Sequence, residues 1–112
     1  MNDGTALLRM LSARPVAYNP DVARIVGSVK AGIFLCQLLY WTGKGAREDG
    51  FIWKTQAEME EETALSRSEQ EGARRKLKKL GILEEKLAGV PAKLHYRVDQ
   101  ARFVQLVDQF YR

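Results

Sequence analysis

The stretch that most constrains the fold of this chain runs from Thr55 to Val98, because it carries two similar helix starts followed by two strand-like runs. Thr55 and Ser66 are each followed three positions later by Glu, which is the capping-box signature of a helix N-terminus. The two starts lie eleven residues apart, which leaves room for one short helix and a tight junction at residues 62–65. The second helix is expected to end at Gly81, because glycine readily adopts the left-handed conformation found after helices.

Two short runs in which apolar and polar residues alternate follow this helix pair. Such alternation is typical of strands, and Gly89 and Pro91 predict the turn that joins them. Two helices followed by a hairpin is the element order of a winged helix-turn-helix. We therefore predict a mainly α-helical chain with a small antiparallel sheet. The predicted segments are the helix-turn-helix at residues 55–80, the wing hairpin at 82–98 and a C-terminal helix at 99–111.

The first half of the chain contains two further helix signals. Asn19 followed by Pro20 predicts a short helix, since Asn is a favoured cap and Pro fits the first helical position. That helix should stop at Gly27, and Ser28 should cap a longer helix that runs to about Thr42. The longer helix is apolar on nearly all sides, which predicts a central core helix. One side of this helix could also contact a second subunit, and this possibility stays open beside the core role.

The remaining segments are an arm, a loop and a short strand. Residues 1–14 form an N-terminal arm for which both a short helix and a strand are open, as is exchange with a second subunit. Residues 43–50 predict a polar loop, and residues 51–53 predict a strand that pairs with the hairpin. At 112 residues the chain is expected to be a single domain with its own core.

The formal net charge of +4 is unevenly distributed along the chain. Residues 66–81 carry six basic and two acidic groups, whereas residues 55–65 carry four acidic groups and no basic one. No apolar run reaches the roughly 18 residues of a membrane span, and the N-terminus lacks a signal-peptide pattern. The single Cys36 is predicted to fill the core. These features predict a cytoplasmic protein without a membrane partner.

The basic second helix predicts a surface for double-stranded DNA. A helix that enters the major groove, about 12 Å wide, presents long polar side chains to base edges from its N-terminal half and basic residues to phosphates further along. The lysines of the hairpin would contact the adjacent backbone or minor groove. A solvated face without function is the alternative for each group. The predicted DNA-binding residues are Arg67, Ser68, Glu71, Arg74, Arg75, Lys78, Lys86 and Lys93.

Other chemistry is not indicated by the sequence. No catalytic dyad and no metal-ligand spacing occurs, and His95 is the single histidine. We therefore expect no enzyme activity, no cofactor and no metal. Glu58 is expected to cap its helix, and the glutamates at 60–62 are expected to be solvated or to meet a basic partner. Trp41, Trp53 and Tyr40 are predicted to pack in the core rather than to form a stacking platform for single strands.

The phrases QLLYW, TALSRSEQEGARRKLKKLGIL and GVPAKLHYRV carry a family resemblance. Over residues 14–98 the chain resembles the N-terminal winged-helix domains of replication-initiation and replisome-organiser proteins from bacteriophages and mobile elements. The resemblance implies a winged-helix fold, binding to origin or element DNA, and self-association. The DNA-facing positions that it implies are Arg67, Ser68, Arg74, Arg75 and Lys93. Such proteins usually continue into a region that contacts helicase or loader proteins, so we expect this chain to be an isolated domain.

The sequence thus predicts a sequence-specific DNA-binding domain that acts in replication initiation, as a homodimer on repeated or palindromic DNA. Two alternatives stay open. One is a dimeric winged-helix transcription regulator, which would protect a promoter operator rather than origin repeats. The other is a winged helix that contacts only proteins, through the face of helix 66–80.

Overall fold

The computed structural model describes residues 4–12, 15–44 and 48–112. Parts of the predicted arm and of the predicted loop therefore lie outside the described residues. The described chain is mainly helical with a small antiparallel sheet, which confirms the predicted α+β class. Its elements in chain order are α1 (Thr5–Ser12), α2 (Pro20–Val26), α3 (Val29–Thr42), β1 (Ile52–Trp53), α4 (Gln56–Thr63), α5 (Arg67–Lys79), β2 (Leu83–Ala88), β3 (Lys93–Val98) and α6 (Gln100–Phe110).

Helices α2 and α3 begin and end where the sequence predicts. The Asn19 side chain accepts a hydrogen bond from the Asp21 backbone N–H at 2.9 Å, and Pro20 occupies the first helical position. Gly27 takes a left-handed conformation with φ of 77°. The Ser28 hydroxyl then accepts from the N–H of Ala31 at 3.1 Å and starts α3.

No single helix within the described ranges is long and apolar enough to cross a membrane. Helices α2 and α3 pass that test of length and composition only as a pair, which is bent by 118°. The bend lets α2 fold back against α3. Gly32 makes this close contact possible, because a Cβ at that position would lie 2.8 Å from the Cα and Cβ of Ala23.

Helix α3 forms the centre of the core, as its apolar sequence predicts. Phe34, Leu35 and Leu38 are fully buried. The ring of Phe34 meets that of Tyr96 on β3 edge to face, with centroids 5.8 Å apart. Helix α5 and the sheet pack on α3, so its position fixes where both lie. The predicted burial of Cys36 is confirmed, and burial raises the pKa of its thiol.

The sheet has the order β1-β3-β2 with antiparallel pairing throughout. The predicted strand at 51–53 is thus confirmed as β1, which pairs with β3 of the hairpin. Because side chains alternate between the two faces of a strand, the sheet has an inner face toward the core and an outer face toward solvent. The inner face carries Ile52, Leu83, Glu85, Tyr96 and Val98, and the outer face carries Trp53, Glu84, Lys86, Lys93, His95 and Arg97.

The two terminal helices pack differently. The described part of the N-terminal arm is a helix, α1, and all its side chains are exposed. In contrast, α6 packs Phe103 and Leu106 against the core. The guanidinium of Arg102 donates from Nε to the carbonyl of Leu80 at 2.9 Å, and the Tyr111 hydroxyl donates to Asp21.

We expect Gly32→Ala to destabilise the fold by about 1–3 kcal/mol, because the added methyl group overlaps Ala23 and forces α2 and α3 apart. The matched control is Gly72→Ala on α5, where a Cβ meets nothing within 4 Å. There the substitution should stabilise the chain by about 0.5–1 kcal/mol, since alanine favours the helix. Urea unfolding followed by circular dichroism measures both changes. A Gly32→Ala variant that is as stable as Gly72→Ala would contradict the packing described.

Candidate nucleic-acid interface

The junction between α4 and α5 is built as the two capping boxes predict. Thr55 and Glu58 exchange side-chain and backbone hydrogen bonds of 3.0 Å at the start of α4. Ser66 and Glu69 do the same at the start of α5, at 3.2 and 2.9 Å. Between them Ala64 adopts a left-handed conformation with φ of 64°, which turns the chain sharply. The predicted capping roles of Glu58 and Glu69 are confirmed.

A buried glutamine locks this turn. Gln70 is 0% exposed, and its Nε2 donates to the carbonyl of Gln56 at 2.9 Å and to that of Leu65 at 3.0 Å. One side chain therefore ties the first turn of α4 to the junction and to α5. The spacing with Ala73 and Leu77 indicates its burial, but the sequence does not show which carbonyls it would meet.

Most of the predicted DNA-facing side chains on α5 do point outward. They lie on the side of the helix opposite its buried stripe of Gln70, Ala73 and Leu77. The exposed residues among them are Arg67, Ser68, Glu71, Arg75 and Lys78, and Lys79 beyond them is exposed as well. This exposed side is called the α5 basic face below. It carries four cations and one carboxylate.

Arg74 does not belong to the α5 basic face, so its predicted outward orientation is wrong. Its side chain is 12% exposed and places Nε 3.2 Å from Oε1 of Glu85 on β2, which is 16% exposed. The angles are not those of a hydrogen bond, so charge holds the pair together. The reason for the inward orientation is the ion pair with Glu85, which the position of Arg74 on the helix permits. Position 74 lies at the boundary, with buried Gln70 and Leu77 on one side of it and exposed Glu71 and Lys78 on the other, and the charge of Glu85 draws the side chain inward.

The Arg74–Glu85 pair lies beside the Tyr96 hydroxyl at the boundary between α5 and the hairpin. Burial raises the pKa of Tyr96, and the positive charge of Arg74 opposes that rise. Lys78 reaches the other oxygen of Glu85 from the solvent side, with Nζ 3.4 Å from Oε2. Glu85 thus receives two cations from α5 and fixes how the helix sits on the hairpin.

The hairpin lysines are not brought to the α5 basic face. Lys86 and Lys93 lie on the outer face of the sheet, whereas Glu85 contacts α5 from the inner face. Lys86 sits in the middle of β2 opposite His95 rather than at the turn. Its Nζ lies 4.0 Å from the centroid of the Phe51 ring and 3.4 Å from Oδ2 of Asp49. The predicted site residues therefore form two groups on opposite sides of the sheet.

Two further expectations about side-chain environments are wrong. Glu62 is not solvated, since it accepts from Nε2 of Gln37 at 2.6 Å and from Nε1 of Trp41 at 2.7 Å, and also pairs with Lys54. Burial works against ionisation of Glu62, but these hydrogen bonds outweigh it and lower its pKa. Trp53 is not in the core, because its side chain lies on the outer face and is 44% exposed.

Among the described residues, no three His, Cys, Asp or Glu side chains lie close enough together to hold a metal ion. Comparisons of the chain with protein-family models, with curated proteins and with solved structures found no match.

We expect Arg74→Ala to destabilise the protein by roughly 3 kcal/mol, because it leaves the carboxylate of Glu85 buried with only Lys78 nearby. Arg75→Ala, which removes the same side chain one position along the helix, should change stability by no more than about 0.5 kcal/mol. Denaturant unfolding of the two variants gives the comparison. Equal effects would show that the two arginines have the same environment.

We expect the capping box of α5 to make stability depend on pH. The Ser66 backbone N–H and then the Lys30 ammonium, 2.9 Å away, lower the pKa of Glu69 from 4.5 to about 2. A carboxyl group whose pKa is lower in the folded state stabilises the fold when ionised. Its contribution is therefore complete above pH 4.5 and is lost as the pH falls to about 2.

Glu69→Gln should remove this part of the pH dependence. The stability difference between wild type and variant should be largest at pH 6 and shrink toward pH 2. The control is Glu71→Gln, an exposed carboxylate on the same helix without a capping contact. Unfolding curves at intervals between pH 2 and pH 6 give the free energy of unfolding at each pH. If this free energy depends on pH in the same way for wild type and Glu69→Gln, the prediction is wrong.

Proposed function

We propose that this chain is a sequence-specific, double-stranded DNA-binding domain of the winged-helix type. The observation that carries the proposal is the α5 basic face, in which Arg67, Ser68 and Arg75 are exposed along one side of a helix held by a locked turn. A rigid helix with outward arginines and a hydroxyl has the shape and donors that base edges in a major groove require. In this interpretation α4, α5 and the β2–β3 hairpin are the helix-turn-helix and the wing.

The mechanism follows from the position of each side chain on α5. Arg67 and Ser68 lie in the first turn, where the helix N-terminus also favours a phosphate, and can reach base edges or the backbone. Arg75, Lys78 and Lys79 lie further along and would neutralise phosphates. Arg74 contributes indirectly, because its contact with Glu85 sets the angle between the reading helix and the wing.

The biological setting proposed is replication initiation of a phage or mobile element, in the cytoplasm. It rests on the resemblance of residues 14–98 to replication-initiation and replisome-organiser domains, and further replication proteins are proposed as its partners. A footprint on the DNA around the gene distinguishes the roles, since protection of origin repeats supports replication. Protection of a promoter operator would instead identify a transcription regulator.

We further propose that the domain acts as a homodimer. Helix α1 supports this, because Leu7, Leu8, Met10 and Leu11 are each more than half exposed on a short helix. An exposed apolar cluster of this kind favours burial against another surface. A second copy would supply that surface and would double the DNA contacts of a small module.

We expect Arg67→Ala combined with Arg75→Ala to weaken binding to duplex DNA and to flatten its salt dependence. Each lost phosphate contact should lower the slope of log K against log salt by about 1. Fluorescence anisotropy with duplex from the gene's neighbourhood and with random duplex, at several salt concentrations, measures both quantities. Light scattering of the free and the DNA-bound protein gives the molar mass, and therefore shows whether the protein is a dimer.

The matched control is Arg24→Ala combined with Arg112→Ala, which removes two exposed positive charges that do not belong to α5. This control should keep site-selective affinity and most of the slope. If both double variants lose affinity equally, the contact is non-specific and not made by α5. If wild type binds neither duplex at low salt, the proposed DNA binding is wrong, and the alternative of a domain that contacts only proteins is favoured.

A further inference from the structure

The outer face of the sheet is a second exposed surface, separate from the α5 basic face. We propose that this outer face binds single-stranded nucleic acid, with a base stacked on the indole of Trp53 and phosphates held by the surrounding lysines. The inference goes beyond the proposed function, because it concerns a different surface and a different form of nucleic acid.

Trp53 stands between two shallow grooves on this face. It lies on the edge strand β1, directly opposite His95 on β3, and both residues line both grooves. The larger groove, of about 400 Å³, continues past Trp41, Lys44 and Lys54. The smaller one, of about 270 Å³, continues along Lys93 to the hairpin turn. A chain laid across the face would therefore pass Trp53 on its way from one groove to the other.

Cations sit directly at the aromatic rings of this face. Nζ of Lys93 lies 3.9 Å from the centroid of the Trp53 ring, and Lys93 forms no ion pair within the part of the chain that the structure describes. Arg97 joins Lys86 over the ring of Phe51, with its Cζ 4.6 Å from the centroid. The aromatic rings thus lie along the edge of the sheet, at and next to β1, and the cations reach them from β2 and β3.

The balance of charge on the face favours a polyanion. Lys54 is neutralised by Glu62 and contributes little. The remaining groups along the grooves and over the rings comprise four cations and two carboxylates. They are Lys44, Lys86, Lys93 and Arg97 on the positive side, and Asp49 and Glu84 on the negative side.

The exposed indole selects among polyanions. An acidic peptide would satisfy the lysines but would offer no flat ring to Trp53, and duplex DNA hides its bases inside the stack. Unpaired bases present a flat π-surface at every nucleotide, beside a phosphate. Single-stranded nucleic acid is therefore the ligand whose two repeating groups match the two kinds of side chain on this face.

The test uses the whole chain and an oligothymidylate of about 15 nucleotides at low salt. Trp53→Ala should weaken binding by about tenfold, in line with the loss of one stacked base. Trp53→Phe should bind within a few-fold of wild type but should lose most of the quenching of tryptophan emission that stacking causes. Lys93→Gln should lower affinity and flatten the salt dependence.

The control for Trp53→Ala is Tyr18→Ala, which removes an aromatic side chain with a similar exposed fraction of 41% from a different part of the surface. It should leave the affinity unchanged. Arg67→Ala combined with Arg75→Ala should also retain single-strand binding, so that loss of the duplex function and loss of this one are distinguishable.

Three results would overturn the inference. One is equal affinity of wild type and Trp53→Ala for the oligonucleotide, and another is unchanged tryptophan emission on saturation. The third is tighter binding of a polyglutamate peptide than of the oligonucleotide, which would identify the partner of this face as an acidic protein. Thermal melts of each variant confirm that the fold is intact, as expected for substitutions at exposed positions.

Discussion

The burial of α3 on nearly all sides is the constraint on which the rest of the structure depends. Its side chains meet α2, α5 and the sheet at once, so each of these elements is placed by contact with the same helix. Gly32 brings α2 close on one side, and Phe34 meets Tyr96 of β3 on another. The α5 basic face is exposed because the opposite side of α5 is committed to this core.

The local order of elements could be predicted from the sequence because it depends on short-range chemistry. Asn19, Ser28, Thr55 and Ser66 cap helices with bonds to residues two or three positions away, and such bonds are visible in the sequence. The strand at 51–53 followed from its short apolar run. The open choice for the arm is settled as a helix within the described part.

The wrong predictions concern side chains whose environment is set by a neighbouring element rather than by their own. Arg74 and Glu62 are charged, and charged residues are usually solvated, yet Glu85 and Lys54 meet them across elements. Trp53 is large and apolar, but its position in the register places it on the outer face. Neither the helical period nor the strand alternation decides these cases, because Arg74 lies at the boundary of the buried side of α5 and Phe51, next to β1 and on the same face as Trp53, is buried.

Strand β2 serves both sides of the domain through consecutive residues. Glu85 receives cations from α5, while Glu84 and Lys86 next to it belong to the outer face. A shift of one residue along β2 would exchange these roles, because successive side chains point to opposite faces. Insertions and deletions within β2 would therefore disrupt both the contact of Glu85 with α5 and the outer face of the sheet. Changes in the length of the hairpin during evolution should accumulate in the turn at residues 89–92, which borders only the smaller groove of the outer face and leaves the contacts of Glu85 with α5 in place.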